Sequence, residues 1–363
     1  MPDIQTKIES NSPDEFAIVI DGTRLTQFLN ETLVLTVDNV GGGFSFETPF
    51  FPDTKEYREL FRPFGYQSAQ IYIGGNLILN GTVELISPQL SESSNFLNVQ
   101  GRSKTGVIVD CTFEKADFGG GEFLANGLEF QSQSLESISK AIVKKFGIGV
   151  SFPDGAGAIF ETVSPQGATE TIFDFLQNLA RQRSLLIGQD NLGNLLFRKT
   201  KTKGAPIAEL SEGHQGILLS QAEYDGTKRF SRYNVFGQSP DITDNFALVE
   251  DKTIPILRPK SISANDTNSG NINQSADWAL SSDISKSISI PVSYEGWLTP
   301  DGELWRDNEF ITVTAPSLMI YKPSTLLIKR VTFKGQNDKK ITELELTLPE
   351  AYNNSEIEDE PWS

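Results

Sequence analysis

Ile71-Tyr72-Ile73-Gly74-Gly75-Asn76-Leu77-Ile78-Leu79-Asn80-Gly81-Thr82-Val83-Glu84-Leu85-Ile86 is the stretch that decides the fold class. Short apolar runs alternate with Gly74-Gly75-Asn76 and Asn80-Gly81, which tolerate the positive φ of tight hairpins. The spacing predicts a meander of strands at 71–73, 77–79 and 83–86. Outward from it, Phe16–Ile20 closes on the turn pair Asp21-Gly22, Leu33–Val37 follows, and Phe96–Val99 adds another strand. Short strands at this spacing over residues 1–100 predict a small barrel or sandwich.

The pattern changes beyond residue 105. Leu135, Ile138, Ile142 and Phe146 recur at spacings of three and four, and Gly147 and Gly149 follow. That is an amphipathic helix with its stop. A second helix is expected from about 170 to 183, with Ile172, Leu176, Leu179 and Arg183 on one side and Phe175 and Ala180 widening its apolar face. Leu185–Gly188 and Leu195–Arg198 read as strands around an Asp190–Asn194 turn. Strands return at Ile217–Leu219, Tyr233–Gly237, Ile288–Val292, Phe310–Val313, Leu326–Val331 and Ile341–Leu346. Residues 260–275 are polar and predict a long loop, with a short helix opening near Trp278. The fold class is therefore α+β and β-rich, with an α+β segment set between β regions.

Composition removes much of the enzyme repertoire. The chain has 363 residues, enough for roughly two to four domains. Its apolar share of 38%, with 24 Phe, is enough for real cores. The one cysteine, Cys111, excludes an internal disulfide and reads as a buried small apolar residue. The one histidine, His214, lies between Gly213 and Gly216 and reads as an exposed loop residue with no nucleophile or orienting acid supplied. No metal or cofactor site is expected. The net charge of −17 speaks against binding nucleic acid through bulk attraction to phosphates. No apolar run is long enough to span a membrane, and Met1–Thr6 does not read as a signal peptide.

Three stretches invite a chemical reading. Trp297-Leu298-Thr299-Pro300-Asp301-Gly302-Glu303-Leu304-Trp305 sets two acids between two indoles, as a sugar cleft would. Its Pro-Asp-Gly core is also a plain turn, with structural Trp on either side, and that reading is preferred. Asp190–Asn194 lacks the downstream glutamate of a calcium loop. Gly41–Gly43 and Gly119–Gly121 lack the Gly-Lys-Ser/Thr of a phosphate loop and read as loops or hinges.

Gln100-Gly101-Arg102-Ser103-Lys104-Thr105-Gly106-Val107-Ile108-Val109-Asp110-Cys111 resembles a signature of the Mu-type baseplate hub proteins of contractile-tailed bacteriophages. Arg102 and Asp110 are placed to pair across its turn. Ser164–Thr171, Leu179–Arg183 and Asp190–Leu195 resemble the second domain of that family. Lys228–Tyr233 and Val235–Gln238 resemble the return to its first barrel. Gly296-Trp297, Gly302–Trp305, Asn308 and Leu326–Ile328 resemble its second barrel. The resemblance covers roughly residues 80–350. It singles out Gly101, Arg102, Lys104, Asp110, Trp297 and Trp305 as structural motif residues.

The resemblance implies a virion structural protein of the tail baseplate, assembled in the host cytoplasm, with no catalysis and no cofactor. It implies a homotrimer in which each chain contributes two small β-barrels, so that six meet a sixfold tail tube and three chains hold a threefold spike. The implied partners are a tail tube or tube-initiator protein, the central spike protein and baseplate wedge proteins. No sequence-specific nucleic acid binding is implied, although the ring would form part of the channel for genome ejection. The expected division is a first barrel over 1–105 plus 209–240, an inserted α+β domain over 106–208, a second barrel with associated α/β elements over 241–350, and a mobile acidic tail over 351–363. Two other readings fit the residues: the hub of a non-viral contractile injection system or tailocin, and a tail-associated glycan-binding or glycan-cleaving protein. Neighbouring capsid and terminase genes would identify a phage, and a spare catalytic module would identify a glycan enzyme.

Overall fold

A computed structural model describes residues 4–90, 95–114, 128–165, 167, 169–201, 204–237, 246–263, 269–336, 339–352 and 360–363, without the side chains of 269–271. The N-terminal region holds β1 (Phe16–Ile20), β2 (Thr23–Leu25), β3 (Asn30–Thr36), β4 (Gly43–Pro49), α1 (Lys55–Leu60), β5 (Ser68–Ile73), β6 (Asn76–Leu90) and β7 (Asn95–Ser103). Gly74 and Gly75, at φ 57° and 75°, turn β5 into β6 as predicted. Asn80-Gly81 is not a turn. Both residues lie inside a single 15-residue β6, so the meander has one strand fewer than the spacing suggests. Gly81 is there for close approach, since a Cβ on it would sit 1.9 Å from the Arg102 carbonyl oxygen of β7. Gly101 answers it from β7, where a Cβ would meet the Thr82 carbonyl at 2.1 Å and the Phe44 ring at 2.3 Å.

The next region holds α2 (Val107–Asp110), β8 (Phe130–Gln133), α3 (Leu135–Val143), β9 (Val150–Ser151), β10 (Phe160–Val163), α4 (Ile172–Arg181), β11 (Leu186–Gln189) and β12 (Leu195–Arg198). Both predicted helices form, and local chemistry starts and stops them. The Ser134 hydroxyl caps α3 by accepting from the Ser137 N–H, and Gly147 in the left-handed region follows its last turn. Thr171 caps α4 by accepting from the Asp174 N–H, while its own hydroxyl donates to the Asp174 carboxylate at 2.7 Å. Ile138, Ile172, Leu176, Leu179, Leu195 and Phe197 are buried in an apolar cluster separate from that of the β regions. The half-buried Cys111 lies at its border, so it is not the fully buried residue expected. Gly119–Gly121 lie outside the described residues.

The C-terminal region holds β13 (Glu209–Ser211), β14 (Ile217–Ser220), β15 (Glu223–Tyr224), β16 (Arg232–Phe236), β17 (Phe246–Glu250), β18 (Pro259–Ser263), α5 (Ser269–Ser287), β19 (Ile288–Glu295), β20 (Phe310–Ala315), β21 (Ile320–Gln336) and β22 (Lys339–Thr347). Two expectations change here. The strands of 209–240 do not return to the N-terminal region: β13 pairs with β20, β14 and β15 pair with β19, and β16 joins β17 and β18. The expected loop at 260–275 is instead the end of β18 and the start of α5, with 264–268 outside the described residues. Ile272, Ala276, Leu280 and Ile284 recur every fourth residue and are all buried, so four apolar side chains anchor a mostly polar helix.

The two β regions are not separate bodies. β3 pairs antiparallel with the second half of β21 from Thr36–Arg330 to Asn30–Gln336. One sheet of 14 strands results, running β14-β19-β22-β21-β3-β4-β7-β6-β5-β1-β2, with β13, β15 and β20 off that path. A single apolar cluster follows it from Ile18 and Leu33 to Val331, Phe333 and Leu346. The end of the chain is also held, in contrast to the mobile tail expected. Ala351, Tyr352 and Pro361 are buried, and the Trp362 ring lies 5.2 Å from that of Tyr224. Residues 353–359 of that tail lie outside the described residues.

Gly101→Ala is expected to force β6 and β7 apart at a cost of about 1–3 kcal/mol. Thermal unfolding should show a lower midpoint, whereas Ala at the open Gly302 turn, where nothing lies within 4 Å of the added Cβ, should act only through its φ of 84°.

Candidate functional site

The six motif residues gather into two groups. Gly101, Arg102, Lys104 and Asp110 form the first, where β7 runs through a short 3-10 turn into α2. The Arg102 guanidinium donates to both Asp110 carboxylate oxygens, and its Nε donates to Glu84 of β6 at 2.6 Å. These hydrogen bonds raise the Arg102 pKa above the usual arginine range, and the guanidinium holds the Asp110 carboxyl below its usual value. Strand, turn and helix are thereby tied by one fork. Lys104 does a different job: its ammonium donates to the carbonyl of Gly147, just past α3. A cation there also favours the negative end of the helix dipole.

Around this fork the α+β segment is fastened to the N-terminal sheet by polar contacts. The Gln189 side-chain oxygen accepts from the N–H groups of Gly41 and Gly42 at 3.0 and 2.9 Å, and from the Thr105 hydroxyl at 3.1 Å. Asn80 donates to the Leu192 carbonyl at 2.8 Å, and Asn191 donates to Leu77 at 3.0 Å. Gly41-Gly42 is thus a docking point for β11. The Asp190–Asn194 turn closes on itself, with Asp190 accepting from the N–H groups of Leu192 and Asn194. On the other side, Arg198 donates to Asp307 at 2.6 Å and so links β12 to the C-terminal region. Sequence patterning does not find the contacts of Gln189, Asn80 or Asn191, because a single amide in a strand or turn carries no periodic signal.

Trp297 and Trp305 form the second group. Thr299 and Glu303 close their hairpin by a backbone bond of 2.6 Å, and both indoles turn inward, at 1% and 0% exposure. Trp297 packs edge-on against Phe16 of β1 at 5.7 Å and Phe333 of β21 at 6.0 Å, and donates to the Lys334 carbonyl at 3.0 Å. Trp305 packs on Tyr294 at 5.3 Å, and its buried indole N–H has no hydrogen-bond partner among the described residues. Asp301 and Glu303 stay exposed at the tip. The rings therefore offer no stacking platform for a sugar. From Trp297 an aromatic chain continues through Phe16, Phe28, Phe46, Phe61 and Tyr57 to the exposed Phe51.

Lys228–Tyr233 carries a further buried contact. Arg229 donates through Nε to Asp251 at 3.0 Å, and Thr253 completes the carboxylate's partners. His214 is half-buried, in contrast to the exposed loop residue that the sequence predicts, because its ring leans on Tyr294 at 6.2 Å. Among the described residues no group of three or more His, Cys, Asp or Glu is arranged to hold a metal ion, and no helix is long and apolar enough to cross a membrane.

The chain is similar to known proteins. Residues 105–199 match the family model of the second domain of gp44-like baseplate hub proteins, and residues 269–355 match that of the fourth domain of the Mu phage baseplate assembly protein GpP. The baseplate hub protein gp44 of Escherichia phage Mu is 24% identical over 330 residues, covering 86% of this chain and 82% of that protein. The crystal structure of the 43 kDa tail protein of prophage MuSo2 from Shewanella oneidensis superposes with a TM-score of 0.77 at 24% identity, over 94% of this chain and 99% of that one. A tail protein of Neisseria meningitidis superposes equally well, at 0.77 and 18% identity, over 93% and 98% of the two chains. The likeness to these two structures is one of fold.

Trp305→Ala is expected to destabilise the fold by about 3–5 kcal/mol. Trp305→Phe should cost much less, because it also removes an unpaired buried N–H. Thermal unfolding of both variants checks this. Asp110 adds a pH dependence. Its folded pKa is depressed, so its contribution is full above the ordinary aspartate value of about 4 and is lost as pH falls through the depressed value. Acid unfolding of Asp110→Asn should therefore be shallower below about pH 4 than that of the parent.

Proposed function

Because the chain belongs to the Mu-type family of phage baseplate hub proteins, we propose that three copies form a ring that adapts the sixfold tail tube to the threefold central spike. The observation that supports this most is the joining of two β regions, edge to edge, by β3 and β21 within one chain. Two β modules per chain give six around a threefold axis, and closed rings need self-consistent contacts. We assign the N-terminal module to residues 1–105, the insert to 106–208 and the second module to the C-terminal strands.

In this reading the ring sits in the tail baseplate of the virion and is assembled in the host cytoplasm. Tail tube or tube-initiator protein covers one face, the central spike protein the other, and wedge proteins surround it. The motif residues are structural. Gly101, Arg102, Lys104 and Asp110 hold the insert in register, Trp297 locks the two modules together, and Trp305 anchors its hairpin on Tyr294 within the C-terminal one. The work is mechanical and not enzymatic. The spike is held until release, and genome ejection follows through the ring. A net charge of −17 suits such a channel, because acidic walls repel DNA and do not trap it.

Sedimentation at micromolar concentration should give a trimer, alone or on addition of the spike protein. Electron microscopy should show a threefold ring with six peripheral β lobes. A stable dimer or tetramer in both conditions would overturn the adaptor reading.

A further inference from the structure

The chain is strongly acidic, yet it gathers cations at one cleft between its regions. The cleft holds about 190 Å3 and lies where α4 and β11 of the insert face α5 and β21. Arg181, Lys286 and Lys329 line it, against the single carboxylate of Asp38. That carboxylate is already engaged, accepting from the Tyr352 hydroxyl at 2.7 Å and from Thr36 at 3.0 Å. Among the described residues Arg181 makes no ion pair; its Nη2 donates to the Gln177 amide at 2.6 Å. Lys286 stands 3.8 Å from Asp283, which is closer to Lys260 at 2.7 Å. Lys329 shares Glu345 with Arg330, each at 3.4 Å. The Lys286 side chain is 60% exposed, yet the cleft wall takes enough water from its ammonium to hold it below its ordinary range, and repulsion from Lys260, Arg181 and Lys329 adds to this against the pull of Asp283.

We propose that this cleft binds an acidic segment of a partner protein, one carboxylate against Arg181, Lys286 and Lys329 and an apolar neighbour against Trp278. Charge complementarity selects the acid: three cations held near one another gain by sharing an incoming carboxylate. Size selects a side chain. The volume is below the about 300–1,000 Å3 of pockets that enclose a drug-sized ligand, so a nucleotide does not fit. Leu185, Leu186 and Ile187 line the cleft beside the Trp278 indole, which selects an acid with an apolar neighbour over a bare anion. Because the walls come from both the insert and α5, an occupied cleft would clamp the two together. The site stands apart from the trimer reading and does not need it.

Titration calorimetry of the full chain with a capped Glu-Leu-Glu-Leu-Glu-Leu peptide tests it. Saturable binding is expected, weakened about tenfold or more in Arg181→Gln and in Lys286→Gln, as loss of a charge-assisted hydrogen bond would give. Both side chains are exposed, so both variants should melt with the parent. Lys228→Gln, outside the cleft, should bind as the parent does. The Gln-Leu version of the peptide should not bind. No binding at millimolar peptide, equal binding of the Gln-Leu version, or binding insensitive to Arg181→Gln would overturn the proposal. So would displacement of the peptide by inorganic phosphate or by oligothymidylate at equal concentration, which would make the cleft a phosphate or nucleic acid site.

Discussion

The rest of this structure depends on the seam where β3 pairs with β21 and Trp297 packs on Phe16. β21 is 17 residues long, about 55 Å when extended. Its first half pairs with β20 and its second half with β3, while β22 runs along its other edge. One strand thus belongs to both β regions. Seven backbone pairs with β3 fix register and angle, and the indole between Phe16 and Phe333 closes the gap beneath them. Hydrogen bonds alone contribute little net free energy in water, so the buried rings supply most of the attraction and the ladder supplies the alignment.

The insert is attached by a different principle. It has its own apolar core and is joined to the N-terminal sheet largely through amide and backbone hydrogen bonds at Gln189, Asn80, Asn191 and Lys104. Directional contacts of this kind set orientation with little apolar burial. The Arg102 fork stands at the root of the insert, where the chain leaves the sheet, so it governs the angle at which everything from α2 onward emerges.

Much of this was legible in the sequence. Short apolar runs and spacings of three and four located most strands and the two longer helices of the insert, and the Pro300-Asp301-Gly302 turn placed Trp297 and Trp305 on a hairpin. The failures have physical reasons. Asn80-Gly81 looks like a turn because Gly serves both turns and close strand contacts, and only the facing Arg102 carbonyl tells them apart. The sequence shows α5 only as a short helix near Trp278, and its start is hidden because its stripe is four residues in a polar background. The partners of β13 to β16 are not legible because pairing between distant strands leaves no local mark. The same holds for the seam amides and for the cations of the cleft, which come together only when α4 meets α5.

The pairing of β3 with β21 also sets a timetable. Its partners are separated by roughly 300 residues, and at a synthesis rate of about 5–20 residues per second the second strand emerges about 15–60 s after the first. Throughout that interval the N-terminal sheet carries an unpaired edge, and loop closure over such a length is slow to be rewarded. Glu31 in β3 places a charge on that waiting edge, a feature that discourages pairing with a stranger. A nascent chain is therefore most vulnerable to misassociation late in its own synthesis, and a ribosome stalled before residue 330 would leave a sheet with a well-formed core and an open side.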